Sequence, residues 1–245
     1  MKKLFLSLPV LLWGLVLFAQ DKIVNDPNAE IRNVSSFHAV EVSNGINLIL
    51  KQGNSDAVAV SASSTDAIKR IKTEVVNGKL KIYFDHEGWH DWGHKNMKAY
   101  VTIRNIDELE ANSGADATTD GNINANELKI SLSSGADFDG TITASKLRVD
   151  QSSGSDMDIK GKVQDIEIKT SSGSDFNGYG LVSETCSAHA SSGSDIEITV
   201  NKELQAEASS GGDISYKGSA SITNVSNSSG RKVKKQSEAG QNVSK

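Results

Sequence analysis

Six aspartates, Asp116, Asp137, Asp156, Asp175, Asp195 and Asp213, recur in the second half of the chain, each two places after a Ser-Gly dipeptide. Carboxylates in such a series could do two kinds of chemistry. Hard oxygen ligands suit calcium, and paired acids beside a sugar chain can cleave glycosidic bonds. If neighbouring carboxylates stand about 5 Å apart, each pair repels by about 1 kcal/mol in water and several times that at lower effective dielectric. The series must then be solvated, bonded to backbone amides or neutralised by cations. A plainer role competes, because Asp beside Gly is a favoured turn former that caps backbone N–H groups. The spacing does not match the nonapeptide period of calcium-binding β-rolls. No acid-base or nucleophile-base constellation accompanies it, so catalysis is not expected.

A second cluster lies in Asp85-His86-Glu87-Gly88-Trp89-His90-Asp91-Trp92-Gly93-His94, in a chain with only 5% aromatic residues. His86, His90 and His94 at four-residue spacing would share a helix face and hold zinc or copper. Gly88 and Gly93 oppose that helix. Trp89, Trp92 and His90 offer a stacking platform for a sugar or protein partner. The competing reading is a long hairpin loop whose indoles cover the end of the core. Cys186, the only cysteine, falls where other repeats carry Leu128, Leu147, Ile166 and Leu204, and reads as buried and inert. His189 has the opposite parity and should be exposed.

A repeat positions these residues. The dipeptides Ser113-Gly114, Ser134-Gly135, Ser153-Gly154, Ser172-Gly173, Ser192-Gly193, Ser210-Gly211 and Ser229-Gly230 recur at intervals of 18 to 21 residues. A fixed period near twenty marks stacked coils, each burying its apolar face only against its neighbours. Counting back seven, five and three places from Gly135 gives Leu128, Ile130 and Leu132; from Gly173 it gives Ile166, Ile168 and Thr170. Counting forward three and five places gives Phe138 and Gly140 after Gly135, and Ile196 and Ile198 after Gly193. Such alternation is a strand with one buried face on either side of a glycine corner. The expected fold is all-β, a single-stranded parallel β-helix, or solenoid, expected to be right-handed, with coils of about 19–20 residues stacked about 4.8 Å apart. Parity puts the Ser of each dipeptide inward, its Gly at a corner with φ > 0, and the Asp outward.

Upstream, residues 37–51 and 57–61 read as strands and 65–72 as a short helix. Asn77-Gly78 marks a tight hairpin turn between residues 75 and 80, and 79–84 and 98–104 are further strands. This less regular half suits the capping end of an array. Lys2, Lys3, the apolar run to Phe18 and the small Ala19 read as a cleaved secretory signal, with an uncleaved anchor as the alternative. No Cys near the cleavage point suggests a lipid anchor. The expected organisation is a signal at 1–20, a lead-in at 21–30, the β-helix at 31–230 and a polar, basic, frayed tail at 231–245. A net charge of -5 with few aromatics argues against a nucleic-acid partner.

The segment Phe37-His38-Ala39-Val40-Glu41-Val42-Ser43-Asn44-Gly45-Ile46-Asn47-Leu48 carries a Gly-Ile-Asn signature. With Leu109-Glu110-Ala111-Asn112-Ser113-Gly114-Ala115-Asp116 and the repeats after it, the chain resembles the "putative auto-transporter adhesin, head GIN domain" family from about Ile31 to Gly230. The resemblance implies a β-helical, exported, envelope-associated or secreted protein, in the periplasm, at the cell surface or outside the cell. It brings no catalytic residues. The reading is a non-enzymatic recognition or structural protein for a surface glycan or protein, with no membrane span in the mature chain, no cofactor, and calcium as the ion the Asp series would take. The alternatives are a carbohydrate-active β-helix enzyme, either polysaccharide lyase or glycosidase, and a metal-binding envelope protein. A cleft of convergent acids and bases would favour the enzyme.

Overall fold

A computed structural model describes residues 26–88, 96–227 and 233–236. Strands β1 (Glu30–Arg32), β2 (Ala39–Val42), β3 (Asn47–Gln52) and β4 (Ala57–Ser61) precede one helix, α1 (Thr65–Arg70). Then come β5 (Ile71–Val76), β6 (Lys79–Phe84), β7 (Lys98–Ile103) and β8 (Glu108–Ala111). From there each repeat is one long strand: β9 (Asp116–Leu132), β10 (Asp137–Gln151), β11 (Asp156–Thr170), β12 (Asp175–Ala190) and β13 (Asp195–Ala208). The shorter β14 (Asp213–Lys217), β15 (Ser221–Asn227) and β16 (Val233–Lys235) end the stack. Successive repeats pair in parallel, so the chain is a β-solenoid of about six turns.

The register opposes equivalent residues. Leu128, Leu147, Ile166, Cys186 and Leu204 stand side by side on consecutive strands, all buried. Each such side chain contributes about 1.5–3 kcal/mol by leaving water, and it does so only when the next coil is present. This is why no repeat folds alone.

The corners correct one expectation. Ser113, Ser134, Ser153, Ser172, Ser192 and Ser210 are exposed, not inward, and each has positive φ, as do their glycines. Two left-handed residues in succession reverse the chain as a tight hairpin turn does; they lift the serine out of the inward row while parity is kept on either side, as buried Leu132, Ala136 and Phe138 show. The inward corner position falls to the residue after the glycine, occupied by Ala115, Ala136, Ser155, Ser174 and Ser194, all fully buried. Their hydroxyls are used locally: Ser174 Oγ donates to Ser171 O at 2.8 Å, and Ser194 Oγ lies 2.8 Å from Thr170 Oγ1. Backbone pairing continues through the corner, with Gly114, Gly135, Gly154 and Gly173 N–H each donating to the serine carbonyl of the next coil.

The column starts earlier than the Ser-Gly period suggests. Asn44 and Gly45 have the same pair of positive φ values, Gly45 N–H donates to Ser113 O, and Ile46 takes the buried corner position. This corner breaks the expected strand at 37–51 into β2 and β3. Chain order and stacking order then part. β2 lies between β6 and β8, and β3 between β7 and β9, so the coil made by β6 and β7 sits outside the first coil rather than after it. Antiparallel β5 and β4 cover the edges of β6 and β7, and β1 pairs with β4. α1 is capped by Ser64, whose Oγ accepts from Ala67 N–H, and it buries Ala67 and Ile68. At the other end Val233–Lys235, expected to fray, forms β16 on β14 in parallel.

Candidate functional site

The aspartates form one outward row: Asp116, Asp137, Asp156, Asp175, Asp195 and Asp213 are opposed strand by strand. Asn47 and then Lys98 continue this row beyond Asp116, so the acids end where the capping coils begin. Two residues further along each strand, Asp139, Asp158 and Glu197 add acidity to the same face. Burial, together with the charges of Asp195 and Asp156, raises the Asp175 carboxyl above the usual range. A straight row offers one carboxylate per strand, whereas calcium asks for six to eight oxygens around one point. Among the described residues, no three His, Cys, Asp or Glu side chains are arranged to hold a metal ion.

Trp89, His90 and Trp92 lie outside the described residues, as does His94. The segment that carries them is nevertheless located by its ends. The flanking strands β6 and β7 pair with β2 and β3 respectively. Met97 is buried, and Asn47 N–H donates to its carbonyl, the place held by Ile46 one coil on. The entry is fixed to α1. Asp85 N–H donates to Arg70 O, and the Arg70 guanidinium donates to the carbonyls of Asp85 at 3.2 Å and Glu87 at 2.6 Å. His86 packs edge-on against Phe84, with centroids 4.9 Å apart.

A third feature was not foreseen. In β9 to β12 the alternation of buried and exposed residues breaks at Asn126-Glu127, Ser145-Lys146, Gln164-Asp165 and Glu184-Thr185, where two residues in a row face outward, and in β13 three do, Asn201-Lys202-Glu203. Beside this break an open groove of about 620 Å³ runs along the solenoid axis. One wall carries Glu127, Lys146, Asp165, Thr185 and Glu203 in register; the other carries Lys129, Arg148, Glu167, Ser187 and Gln205. Between the walls lie Leu128, Leu147, Ile166 and Cys186, whose side chains are buried in the core stack. The charges are matched: Lys146 meets Glu127 at 3.4 Å, Arg148 meets Glu167 at 3.2 Å, and Lys129 meets Glu108 at 3.2 Å. Thr185 Oγ1 donates to Asp165 at 2.6 Å. The hydrogen bond from Lys169 and the Arg148 charge hold the Glu167 carboxyl below its ordinary value. This break in parity, recurring from β9 to β12, was the available signal.

Cys186 is buried as expected, and burial pushes its thiol up to about 12, far from a thiolate at neutral pH. His189 is part-exposed and lies 3.3 Å from Glu207. No described helix is long and apolar enough to cross a membrane.

The profile of the "Putative auto-transporter adhesin, head GIN domain" family matches residues 36–220. Among solved structures, a putative adhesin from Bacteroides fragilis is 19% identical with a TM-score of 0.75, over 81% of this chain and 91% of that one. A putative adhesin from Parabacteroides merdae is 14% identical with a TM-score of 0.65, over 85% and 95%. A putative lipid binding protein from Parabacteroides distasonis is 17% identical with a TM-score of 0.64, over 85% and 98%. At these identities the likeness is one of fold. None of the curated proteins compared with the chain matches it.

Proposed function

Since the chain belongs to the "putative auto-transporter adhesin, head GIN domain" family, we propose that it is an exported, non-enzymatic recognition protein of the cell envelope. In this reading residues 1–20 direct export and are removed, and the solenoid of residues 31–230 acts in the periplasm, at the surface or outside the cell. Its partner is a surface glycan or protein, met through Trp89, Trp92 and His90. The observation that carries this is a contrast in the connections: the regular coils turn on a left-handed pair, whereas thirteen residues of chain, 85–97, separate β6 from β7. Aromatic residues supply most of the energy in small contact patches, and this stretch holds two of the chain's three Trp. The Asp row serves the corners and the solubility of the array.

The test is capture of envelope glycans and proteins by the wild type, by Trp89→Ala/Trp92→Ala and by Asp137→Asn/Asp156→Asn/Asp175→Asn. Loss of capture with the Trp variant alone supports the reading. Loss with the Asn variant alone refutes it.

The carbohydrate-active enzyme gains one observation, because the groove brings Lys146, Arg148, Asp165 and Glu167 to one cleft. Glycoside cleavage needs one carboxyl held protonated as an acid. The depressed pKa of Glu167 makes it unfit for that role. Release of reducing ends from any polysaccharide would restore the enzyme reading.

A further inference from the structure

We propose that the axial groove binds a neutral, linear oligosaccharide lying along the solenoid. None of residues 85–97 lines this site, which does not depend on the reading above.

The groove crosses five coils, from Glu127 to Glu203, so its repeating positions extend about 19 Å at one strand spacing per coil. A ligand matching it must be linear with a comparable repeat, and a pyranose ring in an extended chain advances by about one strand spacing. An extended peptide lacks a way in. The strands run across the groove, and their N–H and C=O groups are already bonded to the neighbouring coils, leaving no open edge for strand addition. An acyl chain is disfavoured by walls of Lys, Arg, Asp and Glu, which it would have to desolvate. A polyanion finds no free positive charge, because Lys129, Lys146 and Arg148 already face Glu108, Glu127 and Glu167.

A neutral sugar chain fits what remains. Planar carboxylate and guanidinium groups of Asp165, Glu167 and Arg148 can each bond to hydroxyls without breaking their ion pairs. The C–H faces of the rings would lie on the aliphatic stems of Lys146 and Arg148.

The experiment is calorimetric titration of the purified protein with neutral hexasaccharides built on glucose, mannose, galactose and N-acetylglucosamine. The matching disaccharides, a hexauronate and phosphatidylcholine vesicles are the comparisons. At least one neutral hexasaccharide should bind, at least about tenfold more tightly than its disaccharide. Ser187→Trp, which fills the groove from an exposed wall position, should weaken it at least about tenfold, and Asp137→Asn, in the Asp row away from the groove, should leave it unchanged. Amide shifts at Thr185 and Ser187 on adding the sugar to the wild type provide the same readout if Ser187→Trp does not fold. The proposal is overturned if no neutral hexasaccharide binds, if di- and hexasaccharide bind alike, if the hexauronate or the vesicles bind in preference, or if shifts arise only away from the groove.

Discussion

Replacing Asp175 with Asn should stabilise the protein. Asp175 lies between Asp156 and Asp195 in a parallel ladder, where neighbouring strands are about 4.8 Å apart. Two unit charges at that distance repel by about 1 kcal/mol in a water-like dielectric, so two neighbours set a ceiling of about 2 kcal/mol. Exposed side chains can splay apart, which brings the expectation to about 1 kcal/mol at low salt. Asn keeps the shape and already stands in this row at position 47. The sign with pH follows from the raised Asp175 pKa. A carboxyl that binds its proton more tightly in the folded state favours folding below its unfolded pKa of about 3.9 and loses that contribution as pH rises through the folded value. The variant's advantage should therefore be full at pH 7 and vanish near pH 3. Urea unfolding midpoints at about 20 mM and 1 M sodium chloride test this, since salt should remove most of the difference. Destabilisation by Asp175→Asn, equal at both salts, would show that the row caps corner amides instead. Stabilisation of the wild type by calcium beyond sodium chloride of equal ionic strength would show that the row takes up the ion.

Ile166→Asp should cost more than about 3 kcal/mol, read as a lower thermal midpoint, because it puts an unpaired charge into a stack between Leu147 and Cys186; an unchanged midpoint would contradict the register. Ser153→Asn should add about 0.5 kcal/mol in urea unfolding, because Asn tolerates the left-handed conformation better than Ser, and Asn44 and Asn77 already serve in such turns. The Asp56 carboxyl is held low by hydrogen bonds from Arg104, so its contribution is present above the unfolded pKa and is lost as pH falls through the folded one. Asp56→Asn should lower the midpoint at pH 7, and the gap should narrow below about pH 4.

The fold was legible because a solenoid writes its geometry into the sequence at one fixed period. Leu128, Leu147 and Ile166 could be aligned by counting from a glycine, and the structure puts them in register. The serines were misassigned for a local reason. Alternation predicts facing only where the backbone is extended, and the left-handed serine turns out of the inward row although the strands on either side keep its parity. The first corner, Asn44-Gly45, escaped the period because the chain leaves the stack between Gly53 and Glu108 to build the outer coil and its cover. Pairing of β2 with both β6 and β8 is a long-range fact that no local spacing encodes. The groove was not legible because no residue type recurs from one coil to the next along its walls. Its wall positions repeat in place but change from Glu to Lys to Asp to Thr.

That difference separates support from recognition. Positions held constant from coil to coil, the corner pair, the small inward residue and the Asp, answer to demands that every coil shares: reversing the chain, closing the core and staying soluble. A row of identical side chains offers the same contact at every step, so it cannot fix where along the axis a ligand sits. The groove walls differ at each coil, with Lys146 and Arg148 in one repeat and Asp165 and Glu167 in the next, and so they define a register. On a scaffold whose backbone is nearly periodic, only side chains that break the period can fix a register along the axis, and the groove walls are a place where they do.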